Sequence, residues 1–300
     1  MKKLIVIGGA TATGKTALAI HLAQWLKTEI ISADSRQFFR EMSIGTAKPG
    51  KDELAAAPHH FINSRSITET YSVGAFEKDA LNLLETLFLK HQTVIMTGGS
   101  GLYIRAVCEG LDTFPEVSEE VRVSVDELEK RGGIHALQQT LSELDPTYFA
   151  LVDQQNPARM RRAIEVSMQA GQPYSQFLQR KQAPARTFQP VYLLLDWPRE
   201  SLYQRINARV DAMVQDGLEA EARSLWPFRN LPALKTVGYE EFFEYFEGKT
   251  TREEAVEKIK QHTRNYAKRQ VTWFNKHGEW HRFLPHDIEQ IKAFLAPLLT

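Results

Sequence analysis

Gly9-Ala10-Thr11-Ala12-Thr13-Gly14-Lys15-Thr16 joins the apolar run Leu4-Ile5-Val6-Ile7 to a helically periodic stretch over residues 16–26. It fits G-x-x-x-x-G-K-[ST], in the strand-to-helix context that this pattern requires. Gly9 and Gly14 let the chain turn so that successive N–H groups face an anion, and the helix beyond adds its dipole. Lys15 supplies a point charge to phosphate oxygens, and the Thr16 hydroxyl is suited to Mg²⁺. The loop therefore predicts a phosphate site without saying what happens to the phosphate.

Outward from the loop, residues 29–33 are apolar again, so residues 3–35 read as strand, helix, strand, a βαβ unit. A helix over 73–90 and strands over 93–97 and 191–195 continue the alternation, with a further helix from about Arg199. The expected class is α/β, a P-loop NTPase-like parallel sheet flanked by helices. Residues 113–187 lack strands and read as helices broken at Pro115, Gly132-Gly133, Pro146, Pro157 and 171–173. They form a helical insertion domain between core segments 1–112 and 188–300, and the end of the chain is helical apart from an extended piece over 280–284.

The chain has 300 residues, 43% apolar and 25% charged, which fits a soluble globular protein and excludes disorder and coiled coil. A single cysteine, Cys108, excludes a disulfide framework and a cysteine-based zinc finger. Leu4 to Ile7 is too short for a signal-peptide core and no run approaches the length of a membrane span, so the cytoplasm is expected. The 37 basic and 37 acidic residues cancel, but unevenly. Residues 109–153 carry eleven acids against Arg122, Lys130 and Arg131; residues 156–186 carry six basic residues against Glu165 alone; residues 252–282 carry eight basic residues against four glutamates. Such polarity suits a positive groove for nucleic acid, or equally well a set of solvated helix faces.

A second carboxylate is expected beside a phosphate loop, and Asp34 and Asp196 each end an apolar strand on the crevice side of the sheet. Asp196 is followed by Trp197-Pro198, which favours a strand-end role there.

The text around Asp34 is specific. Asp34-Ser35-Arg36-Gln37 followed by Met42-Ser43-Ile44-Gly45-Thr46-Ala47-Lys48-Pro49 resembles the signature of bacterial tRNA dimethylallyltransferases. Further landmarks follow in that family's order: His59-His60, Tyr71-Ser72-Val73, Gly98 to Tyr103, Asn156 to Arg162, Val237-Gly238-Tyr239 and Arg264 to Phe274. Ala10, Thr13 and Ser100 stand where the family usually has Pro, Ser and Thr, and none of these departures removes a charged group.

The resemblance implies transfer of a dimethylallyl group from dimethylallyl diphosphate to N6 of adenosine 37 beside the anticodon of tRNA, by a cytoplasmic enzyme that is a monomer by family default. The P-loop, residues Gly9, Ala10, Thr11, Ala12, Thr13, Gly14, Lys15 and Thr16, would then hold a departing diphosphate, with Mg²⁺ on Thr16. Asp34 would be the base, and Ser100 a hydroxyl near the reacting centres unless its Gly-rich turn is simply structural. Lys15 and Arg209 would neutralise the leaving group, with Arg205 on the same helix face as the competitor. Asp34, Ser35, Arg36, Gln37 and Ser100 would meet the flipped region of the tRNA. Arg122, Ala158, Arg159, Met160, Arg161 and Arg162 would contact the RNA from the insertion, and Arg264, Lys268 and Arg269 from the C-terminal part.

Tyr266, Trp273 and Phe274 suit base stacking, although a core role is the more frequent fate of such aromatics, and His59 and His60 read as structural. The alternatives are an adenylate isopentenyltransferase acting on free AMP or ATP, a P-loop small-molecule kinase and a non-catalytic RNA-binding protein. The first two leave the basic insertion without a purpose, the third the cluster of Lys15, Thr16 and Asp34.

Overall fold

The computed structural model describes residues 1–178 and 185–299. The chain divides into two compact units, Met1–Glu109 with Arg186–Thr300, and Gly110–Ala185. The first contains β1 (Lys2–Gly9), α1 (Lys15–Leu26), β2 (Ile30–Ser32), α2 (Lys51–Ala56), β3 (His59–His60), α3 (Val73–Lys90), β4 (Thr93–Gly98) and α4 (Gly101–Glu109). The second holds α5 (Glu119–Leu144), α6 (Pro146–Phe149) and α7 (Pro157–Ala170). The first unit resumes with β5 (Phe188–Leu195), α8 (Arg199–Gln215), α9 (Leu218–Leu225), α10 (Glu240–Phe246), α11 (Arg252–Lys276), β6 (His281–Phe283) and α12 (Ile288–Leu299).

Among the described residues six strands form one parallel sheet in the order β3-β2-β4-β1-β5-β6. β1 is central, and Leu4, Ile5, Val6 and Ile7 are all fully buried because both faces are covered, which is why the run is continuous rather than alternating. Leu4 and Val6 pack with Val94, Met96 and residues of α3 and α4 on one face. Ile5 and Ile7 pack with Ile95, Leu193 and residues of α1 and α12 on the other. A separate cluster around Met42, Leu218, Tyr239 and Phe242 is made by α8 to α11 and the loop after β2.

The βαβ reading stands, with β1 and β2 parallel in one sheet, and the sheet adds what the reading left open: β4 lies between them. Local periodicity identifies elements, whereas neighbours are chosen by which strands bury both faces best. β3, only two residues long, carries no period-2 signal. The extended piece near the end becomes β6, pairing with the outer edge of β5.

Within the second unit the break signals become a kink and helix caps. Gly133 takes φ 59° and kinks α5; Pro157 opens α7 behind an Asn156 cap, and Gly171 closes it in the left-handed region. Asp145, fully buried, caps α6 through the Tyr148 N–H and also accepts from the Ser175 N–H at 2.6 Å and hydroxyl at 2.9 Å. Asp145→Ala leaves those donors unpaired and should destabilise this unit by about 3 kcal/mol. Chemical denaturation compared with Asp145→Asn, which keeps an acceptor, checks it.

Candidate functional site

Parallel strands bring their C-terminal ends to one edge, where β1 delivers the P-loop, β2 delivers Asp34 and β4 delivers Ser100. In the loop, Ala12 takes φ 64° and Gly14 φ 94°, a sequence of turns that aims backbone N–H groups inward. Gly14 is the N-cap of α1 and makes no side-chain cap, so the first amides of α1 keep their capacity to bind an anion. Ala10, Ala12 and Thr13 are buried. Their contribution is backbone, with the Thr13 hydroxyl bracing the Ala10 carbonyl at 2.9 Å. Lys15 and Thr16, which follow Gly14, are half-buried.

Lys15 Nζ donates to the Ala10 carbonyl at 2.7 Å. Burial of its ammonium, reinforced by the nearby Arg209 charge and opposed by Asp34, pushes its pKa down to about 7. α8 brings both candidate arginines to the loop: Arg205 Nε donates to the Ala12 carbonyl at 2.9 Å and Arg209 Nη1 to the Thr11 hydroxyl at 3.3 Å. Arg205 is exposed and lies 4.8 Å from the Trp197 ring. Arg209 is half-buried, and burial and then Arg205 lower its pKa while Glu53 and then Asp34 raise it. Contact with the loop therefore does not separate the two, but proximity to Asp34 marks Arg209 as the inner one.

Asp34 accepts the Arg36 N–H on Oδ1 at 3.0 Å, a local turn that fixes the carboxylate at the strand end. Beside it, Ser100 Oγ accepts the Ser35 N–H at 3.1 Å and lies 3.2 Å from the Ser35 hydroxyl. The two strand ends are this close because residue 98 has no side chain: a Cβ there would overlap the Ala33 carbonyl.

Arg36 and Gln37 are engaged by the protein itself. The Arg36 guanidinium donates to the carbonyls of Pro232, Ala233 and Lys235, and Gln37 Nε2 to those of Thr46 and Ala47. Residues 42–49 are thereby fixed, and Glu221 completes the arrangement by accepting the N–H groups of Ser43, Ile44 and Gly45 together with the Tyr239 hydroxyl. Asp196 pairs with Arg282 at 2.6 Å, tying the β5–β6 edge, in line with its strand-end expectation. Among the described residues no cluster of three His, Cys, Asp or Glu side chains suits a metal ion.

Three aromatics of α11 have different fates. Phe274 is buried and Trp273 half-buried in the core, as expected. Tyr266 is 36% exposed, lies against Ser100, and has its pKa pushed up to about 12 by burial of its hydroxyl and then by the Asp34 charge. It belongs to the crevice, and the core expectation fails for it. Arg269 lies 5.7 Å from its ring, Lys268 and Arg269 are exposed, and Arg264 is tied to Asn207 Oδ1 at 2.6 Å.

In the second unit, Ala158, Arg159 and Arg122 are exposed, Arg122 within 3.8 Å of Glu119. Arg162 is half-buried, 5.5 Å from the Phe114 ring. Met160 is wholly buried with Leu137, Leu141 and Ile164, so its expected RNA contact is corrected to a core role. Arg161 is paired with Asp126 and Glu129 of α5, an internal pin. Arg180 and Lys181, two of the six basic residues counted over 156–186, lie outside the described residues.

Sequence reasoning missed Glu221, and it quoted Tyr239 and Gln270 only as parts of motifs, without a role for either. Gln270 is buried on α11, accepts the Thr11 N–H at 2.9 Å and donates to the Gly99 carbonyl at 2.9 Å. A glutamine in a helix carries no signal of a partner 259 residues away.

The sequence profile of the IPP transferase family matches residues 37–277. The chain is 53% identical to the tRNA dimethylallyltransferase of Christiangramia forsetii, covering 93% of each. It is 45% identical to that of Cytophaga hutchinsonii over 99% of this chain and 98% of the relative. Among solved structures it is similar to the full-length tRNA isopentenylpyrophosphate transferase of Bacillus halodurans, with 34% identity, 100% and 97% coverage and a TM-score of 0.72. A eukaryotic dimethylallyltransferase acting on tRNA superposes with a TM-score of 0.81 at 26% identity, over 99% of this chain and 77% of that one.

Proposed function

The chain belongs to the IPP transferase family and is a transferase that prenylates tRNA, and from that premise we propose that dimethylallyl diphosphate is its donor and N6 of adenosine 37 its acceptor. The observation that carries this reading is the meeting of the P-loop, Asp34 and Ser100 at one sheet edge, with Lys15 and Arg209 sensing the Asp34 charge. A phosphate cradle and a carboxylate that share one crevice suit displacement at carbon: the nitrogen enters on one side and diphosphate leaves on the other.

The N6 lone pair attacks C1 of the dimethylallyl group, the C1–O bond to diphosphate breaks, and the proton on nitrogen passes to the Asp34 carboxylate. The exocyclic amine is a weak nucleophile because its lone pair is delocalised, so a base at the nitrogen lowers the barrier. Lys15, the loop amides and Arg209 meet the charge growing on the leaving oxygen.

The Thr16 hydroxyl, at the start of α1 beside the loop amides, is of the chemistry that would hold Mg²⁺ together with phosphate oxygens. When bound, the ion neutralises charge on the diphosphate. Exposed Arg159, Lys268 and Arg269 are cations available to RNA phosphates, and Arg122 and Arg162, at 3.8 Å from Glu119 and 4.0 Å from Glu165, can exchange those weak surface contacts for phosphates. Among the described residues no helix is long and apolar enough to cross a membrane. The cytoplasm is the compartment this reading implies.

Incubation with labelled dimethylallyl diphosphate and unmodified tRNA, AMP or ATP tests the proposal. Label should enter tRNA alone. Label in AMP or ATP would overturn the acceptor, and ATP consumption without label transfer would favour a kinase.

A further inference from the structure

We propose that Gln270 is the positioning residue that ties the donor loop to the acceptor turn, setting the distance between leaving group and attacking nitrogen. The inference rests on the reaction proposed above. Its side-chain amide uses both ends: Oε1 accepts from Thr11 in the P-loop and Nε2 donates to Gly99 in the turn after β4.

Each end continues as a chain of contacts. On the donor side, the Thr11 hydroxyl receives Arg209, so fixing Thr11 fixes a guanidinium at the diphosphate. On the acceptor side, Gly99 precedes Ser100, whose hydroxyl holds the Ser35 N–H next to Asp34. A Cβ on residue 99 would overlap Gln270 Nε2, so the turn is shaped around this amide. Two polar ends, both satisfied and 7% exposed, set a geometry that an apolar side chain of equal size cannot reproduce. Gln270 touches neither substrate in this scheme; it acts through Thr11 and Gly99.

The test compares Gln270→Met and Gln270→Glu with the wild-type enzyme, at saturating donor and tRNA and below each variant's thermal midpoint. Met removes both contacts and should lower kcat about 100-fold, the scale expected for misplacement by an ångström. tRNA affinity should stay within about threefold, because kcat and binding separate when only alignment is lost.

Glutamate gives a signature that packing cannot. Its neutral acid repeats the amide, accepting from Thr11 and donating to Gly99, whereas its carboxylate faces the Gly99 carbonyl without a proton. The ratio of Gln270→Glu to wild-type kcat should therefore rise about tenfold per unit as pH falls through its titration between about pH 9 and 6. A ratio near one throughout, with Gln270→Met impaired, is the same rescue by an acid that stays neutral.

A ratio both low and flat with pH overturns the proposal, as does wild-type kcat in Gln270→Met. If Gln270→Met does not fold, the pH profile of Gln270→Glu decides alone. Wild-type enzyme that puts no label into tRNA defeats the parent reading; wild-type transfer with an unaffected Gln270→Met defeats only this one.

Discussion

Asp34→Asn lowers turnover at saturating donor and tRNA by about 10²–10⁴-fold, the range for a lost general base, and leaves tRNA affinity within a few-fold. Asparagine is the informative replacement because its carbonyl can still accept the Arg36 N–H, so the turn survives while proton acceptance is lost. Removing the negative charge also relieves repulsion of an incoming diphosphate, so donor affinity should hold or improve. Single-turnover rates with filter binding of tRNA separate the two effects. A collapse in tRNA affinity with normal turnover at saturation would make Asp34 a binding residue and move the base elsewhere.

Lys15→Met should lower kcat/KM by about 10²–10³-fold, the usual loss when one group stabilising a developing anion is removed. The pH dependence gives the sharper check. Burial of the Lys15 ammonium, and then the Arg209 charge beside it, pushes its pKa down to about 7 in the free protein. A bound diphosphate favours the charged form and raises that value, so above pH 7 binding takes up a proton. Donor affinity should then weaken as pH rises from about 7, by up to tenfold per unit, and be insensitive to this group below it. Calorimetry at pH 8 in buffers of different protonation enthalpy should register this uptake in the wild type and not in Lys15→Met. Equal heats in every buffer would show that Lys15 is already charged.

What the sequence disclosed and what it withheld follow the range of the interactions. The loop 9–16, the helix Val73–Lys90 and the breaks at Gly133, Pro157 and Gly171 depend on neighbours within a turn or two, and each was legible in the pattern. The position of β4 between β1 and β2 depends on competition among buried strands and left no local trace. In the candidate site, residue types singled out Lys15 and Asp34, but only packing distinguishes neighbours in a motif. The basic run 158–162 alternates exposed Arg159, buried Met160 and ion-paired Arg161 because a helix turns 100° per residue, a distinction its charge alone hides. Arg36 and Gln37 share their motif with Asp34 yet brace loops through backbone carbonyls. Glu221, 178 residues from Ser43, had no pattern to announce it.

Ala12 sits in the left-handed region, where an L side chain costs about 1–2 kcal/mol. Its carbonyl is held by Arg205, and that of Thr13 by Trp197 Nε1 at 3.2 Å, both from the segment after β5. The loop's ordering entropy is thus met when the chain folds, through contacts nearly two hundred residues away, and not when the donor arrives. Association can then proceed by capture into a rigid cradle, with an on-rate set by diffusion and charge rather than by loop closure. Trp197, which lies outside the loop itself, thus contributes to donor capture through one brace among several, beside Arg205 and Gln270.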